Sequence, residues 1–441
     1  MKSNTDEKVI LDTSELRFIE GHGRLVVKSI GTDLKAEFHN IEGPRFLTRY
    51  LVGKPAEMAP LVASRICGLC YTAHSINSAE CVEKALGMKL SKEVQMMRNV
   101  LYLANNLRSH MMHLLYLSIP PIEGLISVLR LRDRELFRSG AKLLAKSTEL
   151  IELWGGRSVH VPNVVVGGFG TLVKGKQLMD SIKSLEAFMD DARKIVNYTL
   201  GLELPELERY RPLGSLKKAG SYPIYSESAP LALNDGSVMD AGEFYSELEE
   251  IVKDYSTSKQ VHFRGSELTV GALSRIILNR RYLRPESRAL SDQIEWRINP
   301  FLIIKAQAIE VLHYLEELIA AGEQLYDVFI EPSSNDYQTC KLSQGEVTAC
   351  SGSGEGVSIA EAPRGVLCHS CKIEDGLIKD YRVYTPTAIN SLSIELDAVE
   401  LVKRFKPLGN EKLEPILEDM VRGYDPCLSC AVSLDVYSQD K

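Results

Sequence analysis

Two Cys-x-x-Cys pairs near opposite ends of the chain constrain its fold more than any other feature. The first pair is Cys67 with Cys70 and the second is Cys427 with Cys430, so that 357 positions separate Cys70 from Cys427. Zinc fingers and ribbons close two such pairs over a loop of about 15–20 residues. These two pairs can meet only if the whole fold brings both ends of the chain together. Because four converging thiolates bind a soft or borderline metal ion, the sequence predicts a buried metal site.

Composition and charge exclude several classes of protein. Of the 441 residues, 44% are hydrophobic and 25% are charged, which is typical of a globular protein with a large buried core. The formal net charge of −7 argues against a nucleic-acid partner, because such proteins present a basic face. The most apolar stretch, residues 301–321, is interrupted by charged residues such as Lys305 and Glu310. We therefore predict no direct membrane insertion.

The N-terminus and the cysteines indicate a reducing compartment. Residues 1–8 are polar and lack the apolar core of a signal peptide. The chain has nine cysteines, an odd number, which indicates reduced thiols or metal ligands rather than disulfides. We expect a cytoplasmic protein.

Hydrophobic periodicity predicts a mainly helical protein. A small antiparallel sheet is expected from three strands at residues 16–20, 23–30 and 34–38. Further strands and turns are expected over residues 205–236, and a hairpin over 376–384. Helices are expected over residues 72–87, 92–117, 122–154, 175–200, 240–256, 288–328, 391–405 and 415–422. The predicted fold class is mainly α with a small N-terminal antiparallel β-sheet and minor β hairpins (α+β), built as a long-helix bundle around a buried metal site.

No internal repeat or flexible linker divides the chain. We therefore predict a single domain over residues 1–441. Within it we distinguish a β-rich segment (15–50), a helical core (65–200), an insert with active-site loops (205–390), and C-terminal helices with the second cysteine motif (391–441).

For several candidate residues, the local sequence is consistent with either a functional or a structural role. The first cysteine pair precedes a predicted helix, whose N-terminus favours thiolate. His110 and His113 stand one turn apart and could bind a metal, but in so apolar a helix buried, hydrogen-bonded histidines are the simpler reading. Cys368 and Cys371 form a third Cys-x-x-Cys that could bind metal or cycle as a dithiol, although a structural role is favoured.

Taken in order, the motifs resemble the large, catalytic subunit of NiFe hydrogenases nearly from end to end. They are the two cysteine pairs, residues 17–22, residues 155–157 with His160, residues 361–365 with His369, and residues 386–387 with Asn390. Residues 44–46 and 422–431 look most like the cytoplasmic heteromultimeric branch. That branch passes electrons to nicotinamide, deazaflavin or heterodisulfide-reducing partners.

The resemblance implies a nickel–iron centre held by the four cysteines. Cys67 and Cys427 would be terminal ligands of nickel, and Cys70 and Cys430 would bridge nickel to an iron that carries carbonyl and cyanide. Thiolates suit both metals.

The resemblance also implies the residues that surround the diatomic ligands. Arg364 and Thr387 match positions that face the cyanides. Pro363, Leu367 and Pro386 match the remaining cofactor-binding positions, with Pro363 and Leu367 as apolar wall.

The implied reaction is the reversible heterolytic cleavage of dihydrogen. The base that takes the proton would be the Cys427 thiolate. The guanidinium of Arg364, held by Asp425, is another candidate group close to the metals. Glu20 matches the carboxyl that takes this proton onward. His74 matches the histidine that orients a bridging sulfur.

In the implied reaction the electrons pass to another subunit, because this chain has no cysteine spacing typical of an iron–sulfur cluster. The resemblance therefore implies an iron–sulfur small subunit. Flavin- or ferredoxin-type electron-transfer subunits are candidate further partners.

The chain departs from the family at a structural magnesium site. Family members have a histidine three positions after the last cysteine and a glutamate before the first pair, whereas this chain has Ser433 and Thr48. We expect that this magnesium site is lost.

Two other readings follow from the same residues. The chain could be a degenerate, metal-free scaffold subunit of a redox complex, or a structural zinc protein. The intact cysteine quartet, with Glu20, Arg364 and Asp425, favours an active hydrogenase over both.

Overall fold

Long helices form the centre of the fold. A computed structural model describes residues 7–171, 173, 175–225, 229–330 and 350–432. The helices are α1 (Leu47–Leu51), α2 (Ala59–Ala63), α3 (Tyr71–Ala85), α4 (Lys92–Met112), α5 (Ile119–Ile122), α6 (Arg134–Gly155), α7 (Gly175–Lys183), α8 (Met189–Leu200), α9 (Ala241–Ser246), α10 (Ala272–Asn279), α11 (Pro285–Ser291), α12 (Ile303–Ile330), α13 (Pro386–Phe405), α14 (Asn410–Gly423) and α15 (Leu428–Ala431). Helices α4, α6, α8 and α12 pack against one another, as the predicted long-helix bundle requires.

Small sheets surround this bundle. The strands are β1 (Glu7–Asp12), β2 (Gly23–Ile30), β3 (Asp33–Asn40), β4 (Val164–Val165), β5 (Gly168–Phe169), β6 (Leu213–Leu216), β7 (Leu231–Leu233), β8 (Val238–Met239), β9 (Leu248–Ile251), β10 (Gln260–Phe263), β11 (Thr269–Val270), β12 (Gly354–Ala362), β13 (Gly365–Glu374) and β14 (Leu377–Tyr384). They form sheets in the orders β1-β2-β3, β4-β5, β9-β10, β11-β6-β7-β8 and β12-β13-β14. The described structure is 50% helix and 20% strand, which confirms the predicted mixture of a dominant bundle and minor sheets.

The N-terminal sheet is antiparallel, as predicted, but its first strand was misplaced. That strand is Glu7–Asp12, which pairs with β2, whereas residues 16–20 form a loop. This loop ends at Gly21, whose φ is +87° and whose added Cβ would lie 2.9 Å from Cβ of Leu428. Glycine therefore lets the loop approach the second cysteine motif closely.

The sheet β12-β13-β14 was not predicted as such. Residues 377–384 are one strand that pairs with β13, so the hairpin expected within 376–384 is wrong. Strand β12 pairs with β13 so that Ala362 faces Gly365, which leaves Pro363 and Arg364 as a two-residue turn. An added Cβ on Gly365 would lie 2.7 Å from the amide nitrogen of Gly271. The close packing of this turn holds Arg364 at a fixed place in the interior.

Three predicted helices extend less far than expected. Residues 240–256 are helical only over α9, because the following Leu248–Ile251 pairs with β10; Asp240 and Glu243 form a capping box at the start of α9. Helix α6 begins at Arg134, where Asp133 accepts hydrogen bonds from two free amides. Pro300 is expected from sequence to start or kink the helix over residues 288–328; it begins the short turn that leads into α12, and residues 292–299 are not helical.

Two C-terminal helices begin earlier than predicted. Helix α13 starts at Pro386, with Thr385 as its N-cap, and α14 starts at Asn410 with Pro415 inside it. Within the described ranges, no helix has both the length and the apolar character needed to cross a bilayer.

Candidate metal centre

The fold brings the four cysteine thiols together. Cys70 is the N-cap of α3, and Cys427 directly precedes the single-turn helix α15, which contains Cys430. All four thiols are buried, and their Sγ atoms lie within 4.8 Å of one another. The Sγ–Sγ distances are 3.3 Å between Cys67 and Cys427 and 3.0 Å between Cys70 and Cys430. The predicted convergence of the two ends of the chain is therefore present.

The electrostatics of this quartet favour a bound cation. Burial opposes ionisation, but hydrogen bonds from the other three thiols and the charge of Arg364 hold the pKa of Cys67 well below its usual range. By contrast, burial raises the pKa of Cys427 and of Cys430 well above the usual range. Burial also opposes ionisation of Cys70, but hydrogen bonds from Cys427 and Cys430 lower its pKa. The first pair therefore favours thiolate, whereas the second pair opposes further negative charge. A metal cation among the sulfurs would compensate that charge, so the donor set fits a thiolate-bound metal.

Residues distant in sequence hold the two cysteine motifs in place. Nη2 of Arg45 donates to the carbonyl of Ile66 at 2.7 Å and also to the carbonyl of Ser429. Nδ2 of Asn40 donates to the carbonyl of Leu428 at 2.8 Å. Arg45 thus joins the residue before Cys67 to the residue before Cys430.

Arg364 lies beside the quartet and is held by Asp425. Its Nε donates to the backbone carbonyl of Asp425 at 2.6 Å, and its Nη2 donates to Oδ1 at 2.8 Å. Burial works against the charge, but Asp425 and the neighbouring thiols raise the pKa of Arg364 well above its usual range. The guanidinium is therefore a fixed positive charge at the centre.

Asp425 is itself oriented by the bundle. Nε2 of Gln307 donates to Oδ2 at 3.2 Å, and Nε2 of His113 lies 3.8 Å from Oδ1. The backbone of Asp425 has φ of +52°, a left-handed conformation that aspartate tolerates better than most residues. His113 thus lies close to Asp425. It is not part of the metal-ligating group, which agrees with the structural role that the sequence favoured.

Glu20 lies against the sulfur of Cys427. Its Oε2 is 3.0 Å from Sγ of Cys427 and accepts a hydrogen bond from the amide of Ser429 at 3.1 Å. The hydroxyl of Ser429 donates to Oε1. Glu20 is partly exposed, so it lies between the buried thiol and the surface.

Among the residues expected to bind the cofactor, Thr387 contacts the second cysteine motif directly. Oγ1 of Thr387 accepts a hydrogen bond from the amide of Cys427 at 3.0 Å, and Pro386 is the first residue of α13. Leu367 is fully buried on β13. Nη2 of Arg275 donates to the carbonyl of Pro363 at 3.1 Å, which fixes the turn that carries Arg364.

His74 follows the first cysteine pair on α3 and contacts strand β13. Its Nδ1 lies 3.1 Å from Nε2 of His369, and its expected role in orienting a bridging sulfur stays a prediction. Nδ1 of His369 lies 2.7 Å from the hydroxyl of Tyr381, which donates to Ser78 at 2.6 Å. Burial, and then His74, hold the pKa of His369 well below its usual range.

Other candidates lie outside the quartet. His110 is buried and its Nε2 is 2.7 Å from Oε2 of Glu310, the structural role preferred from sequence. Cys368 and Cys371 stand three residues apart on strand β13, so they point to opposite faces and cannot form a dithiol with each other.

The cavity behind Cys430 contains the position expected for magnesium. It measures about 20 Å³ and is lined by Thr48, Glu250, Lys259, Val261, Val383, Thr385, Ala388, Cys430, Ala431 and Val432. Nζ of Lys259 lies 2.8 Å from Oε2 of Glu250. Ser433, the second position at which a magnesium ligand of the family is replaced, lies outside the described residues.

Sequence reasoning missed several residues that build the centre. Arg45 was predicted only to belong to a motif that is typical of one family branch, and no role was predicted for Ser429. Gln307 and Ser109 carry no local signal, because each contributes through a contact with a residue distant in sequence.

Fold and site together define a helical metalloprotein with a buried four-cysteine centre. A family model described as nickel-dependent hydrogenase matches residues 45–119 and 213–433. Sulfhydrogenase 2 subunit alpha of Pyrococcus furiosus is 30% identical over 431 residues, covering 96% of this chain and 99% of the relative. Sulfhydrogenase 1 subunit alpha of the same organism is 31% identical over 430 residues, covering 94% and 95%.

The fold is also similar to that of a solved hydrogenase. The crystal structure of an NAD+-reducing NiFe hydrogenase in the H2-reduced state superposes with a TM-score of 0.81 at 23% identity, covering 97% of this chain and 99% of that one. The chain belongs to the nickel-dependent hydrogenase family, as a large (catalytic) subunit. The prediction made from the ordered motifs is confirmed.

Proposed function

We propose that the quartet holds a nickel–iron centre whose iron carries carbonyl and cyanide. Cys67 and Cys427 would be the terminal ligands of nickel, and Cys70 and Cys430 would bridge the two metals. When bound, the centre supplies the reversible heterolytic cleavage of dihydrogen. The single observation that carries this proposal is the meeting of four buried thiols within 4.8 Å beside the fixed charge of Arg364.

The residues around the quartet would bind and orient the diatomic ligands. Arg364 offers a buried cation and Thr387 a hydroxyl, both held by other contacts. Leu367 and the turn at Pro363 exclude water on the same side. Donors held in place in a dry site stabilise anionic ligands more strongly than donors in water do.

Proton transfer is assigned to the Cys427 side. Oε2 of Glu20 lies 3.0 Å from Sγ of Cys427, so a proton on that sulfur can pass to the carboxylate without backbone movement. Two bonds from Ser429 hold the carboxylate in this position. The partial exposure of Glu20 then allows release of the proton towards solvent.

Electrons would leave through another subunit. In the part of the chain that the structure describes, the quartet is the one group of cysteine, histidine or acidic residues with metal-binding geometry. We therefore propose an iron–sulfur small subunit as partner, with flavin- or ferredoxin-type subunits as further carriers. The relatives are named as alpha subunits, which supports a multi-subunit enzyme. We also propose a cytoplasmic location.

The magnesium site of the family is proposed to be lost. Magnesium needs a near-octahedral shell of oxygen ligands. The cavity behind Cys430 instead offers the hydroxyl of Thr48 and a lysine ammonium that already faces Glu250. Glu250 is the one carboxylate among the described residues of this lining and already pairs with Lys259, whose positive charge opposes a second cation there, so the cavity does not fit magnesium.

An infrared spectrum of protein purified from its native host tests the proposed centre. We expect bands in the region where metal-bound carbonyl and cyanide stretch, together with nickel and iron in the same sample. A spectrum without such bands in protein that also lacks nickel would favour the metal-free scaffold subunit. Zinc without iron would favour a structural zinc protein.

A further inference from the structure

Helix α4 carries a line of polar side chains through the interior. Arg98, Tyr102, Asn105 and Ser109 follow one another at spacings of four, three and four, so they lie on one face of the helix. All four residues are fully buried. At the rise of an α-helix, the line extends over about 16 Å. We call these four residues the polar line.

Both ends of the polar line have protein partners. At one end, Nη1 of Arg364 donates to Oγ of Ser109 at 3.4 Å, so the line begins beside the cysteine quartet. At the other end, Nη1 and Nη2 of Arg98 donate to the carboxylate of Glu83 at 2.7 and 2.6 Å. The two ends are therefore fixed by charged hydrogen bonds.

The middle of the polar line has no such partners. The hydroxyl of Tyr102 and both amide atoms of Asn105 make no hydrogen bond to any residue in the described ranges. Buried polar groups are nearly always hydrogen-bonded in folded proteins, and internal water supplies the bond where protein groups do not. Water molecules beside Tyr102 and Asn105 would satisfy these groups.

Glu80 lies on α3, which packs against the same part of α4. Its carboxylate is buried, and Nζ of the partly exposed Lys84 lies 2.9 Å from Oε1. Neither carboxylate oxygen has a well-oriented hydrogen bond among the described residues. Burial raises the pKa of Glu80 to about 7 and Glu83 adds to this, while the nearby charges of Lys84 and Arg98 act in the opposite direction.

Tyr102 and Glu80 each lie one helical turn from the Arg98–Glu83 pair, Tyr102 on α4 and Glu80 on α3. Burial, followed by the charges of Glu80, Glu361 and Cys70, raises the pKa of Tyr102 well above its usual range. The ring of Tyr225 stacks on that of Tyr102 with centroids 5.8 Å apart and covers it on one side. The charges of both the Glu80 carboxylate and the Cys70 sulfur thus act on the Tyr102 hydroxyl.

We propose that bound water along Tyr102 and Asn105 connects the cysteine quartet to Glu80, and that Glu80 is a second proton outlet of this protein. The proton source in this inference rests on the proposed hydrogenase function. A proton released at the quartet passes through water to the Glu80 carboxylate, which returns it to solvent beside Lys84. No electron moves in this step.

The first test is infrared detection of the Glu80 carboxyl group in the complete enzyme. We expect a protonated-carboxyl band near neutral pH that shifts in D2O and disappears in Glu80→Gln. The control is Asp191→Asn, which alters a buried carboxylate of α8 whose Oδ1 accepts from Ser139 at 2.6 Å. A Glu80→Gln spectrum identical to that of the wild type would overturn the proposal. This test needs no metal centre, so its failure is separate from failure of the proposed function.

The second test uses exchange between D2 and water protons. In a Glu20→Gln background, Glu80→Gln should lower the residual exchange by about tenfold. Asn105→Leu fills the proposed water site and should give the same loss. Carbonyl and cyanide bands show in each sample that the centre is assembled. Unchanged residual exchange in assembled samples of both double variants would overturn the second outlet.

Discussion

The two cysteine pairs differ in what holds them. Cys67 and Cys70 lead into α3, where fourteen of fifteen residues are buried. Cys427 precedes, and Cys430 lies within, a helix of only four residues, which depends on a hydrogen bond from Asn40 and on the loop of Glu20. The first pair is therefore positioned by its own helix, and the second by parts of the chain distant in sequence.

The pairs also differ in their access to protons. On α3 after Cys70, His74 contacts the buried His369, which in turn contacts the buried Tyr381. Beside Cys427 stands a partly exposed carboxylate at 3.0 Å. The comparison teaches that the pair held by distant parts of the chain is also the one that lies beside a partly exposed carboxylate.

Removal of one thiol from the second pair should have the largest effect. Cys430→Ala takes away one of four converging ligands, so we expect nickel and iron contents to fall to background. The control Cys368→Ala removes a buried thiol outside the quartet and should retain both metals. Metal analysis of the purified variants checks this. Retention of nickel and iron in Cys430→Ala would show that the second pair is dispensable.

Arg364→Lys should have the next largest effect. A lysine keeps the charge but cannot make both bonds to Asp425, so the cation beside the quartet would move. We expect turnover of dihydrogen to fall by about 100-fold with metal content unchanged. Arg264→Lys, a change at an exposed arginine, is the matched control. Turnover within twofold of the wild type would show that the exact position of the Arg364 charge does not affect turnover of dihydrogen.

Arg45→Met tests the link between the pairs. Loss of the bonds to Ile66 and Ser429 leaves two carbonyl groups without this donor, which should lower the free energy of unfolding by about 1–3 kcal/mol. Thermal or denaturant unfolding and metal loading would be compared with Arg49→Met, an exposed neighbour on α1. Equal stability of the two variants would mean that the pairs are held together by other contacts.

Magnesium removal should have the smallest effect. If Lys259 and Glu250 occupy the region behind Cys430, exhaustive chelation of magnesium leaves thermal stability and turnover unchanged. A fall in stability that magnesium restores would show that the ion still binds there.

Sequence predicted the residue types of the centre better than their surroundings. The quartet, and the meeting of Glu20 with Cys427 and of Arg364 with Asp425, followed from ordered motifs. Strands β12 and β13 were missed because long parts of both are buried on both faces. Residues 358–362 are all buried, so they show no alternation of polar and apolar side chains.

The polar line of α4 could not be predicted for a different reason. Tyr102 and Asn105 lie in a helix whose periodicity was recognised, but their unpaired state depends on what packs against them. Likewise the contact of His74 with His369 joins residues 295 positions apart, which no local pattern indicates.

Exchange between D2 and water protons in Glu20→Gln tests the central claim most directly. The glutamine keeps the shape of the side chain but cannot carry a proton from the Cys427 sulfur. Glu42→Gln is the control, because Oε1 of Glu42 accepts from the amide of His22 in the same part of the chain. We predict that Glu20→Gln lowers exchange by at least about 100-fold while the carbonyl and cyanide bands remain, and that Glu42→Gln does not. Exchange at the wild-type rate in Glu20→Gln, with the same bands present, would contradict the assignment of proton transfer to the Cys427 side.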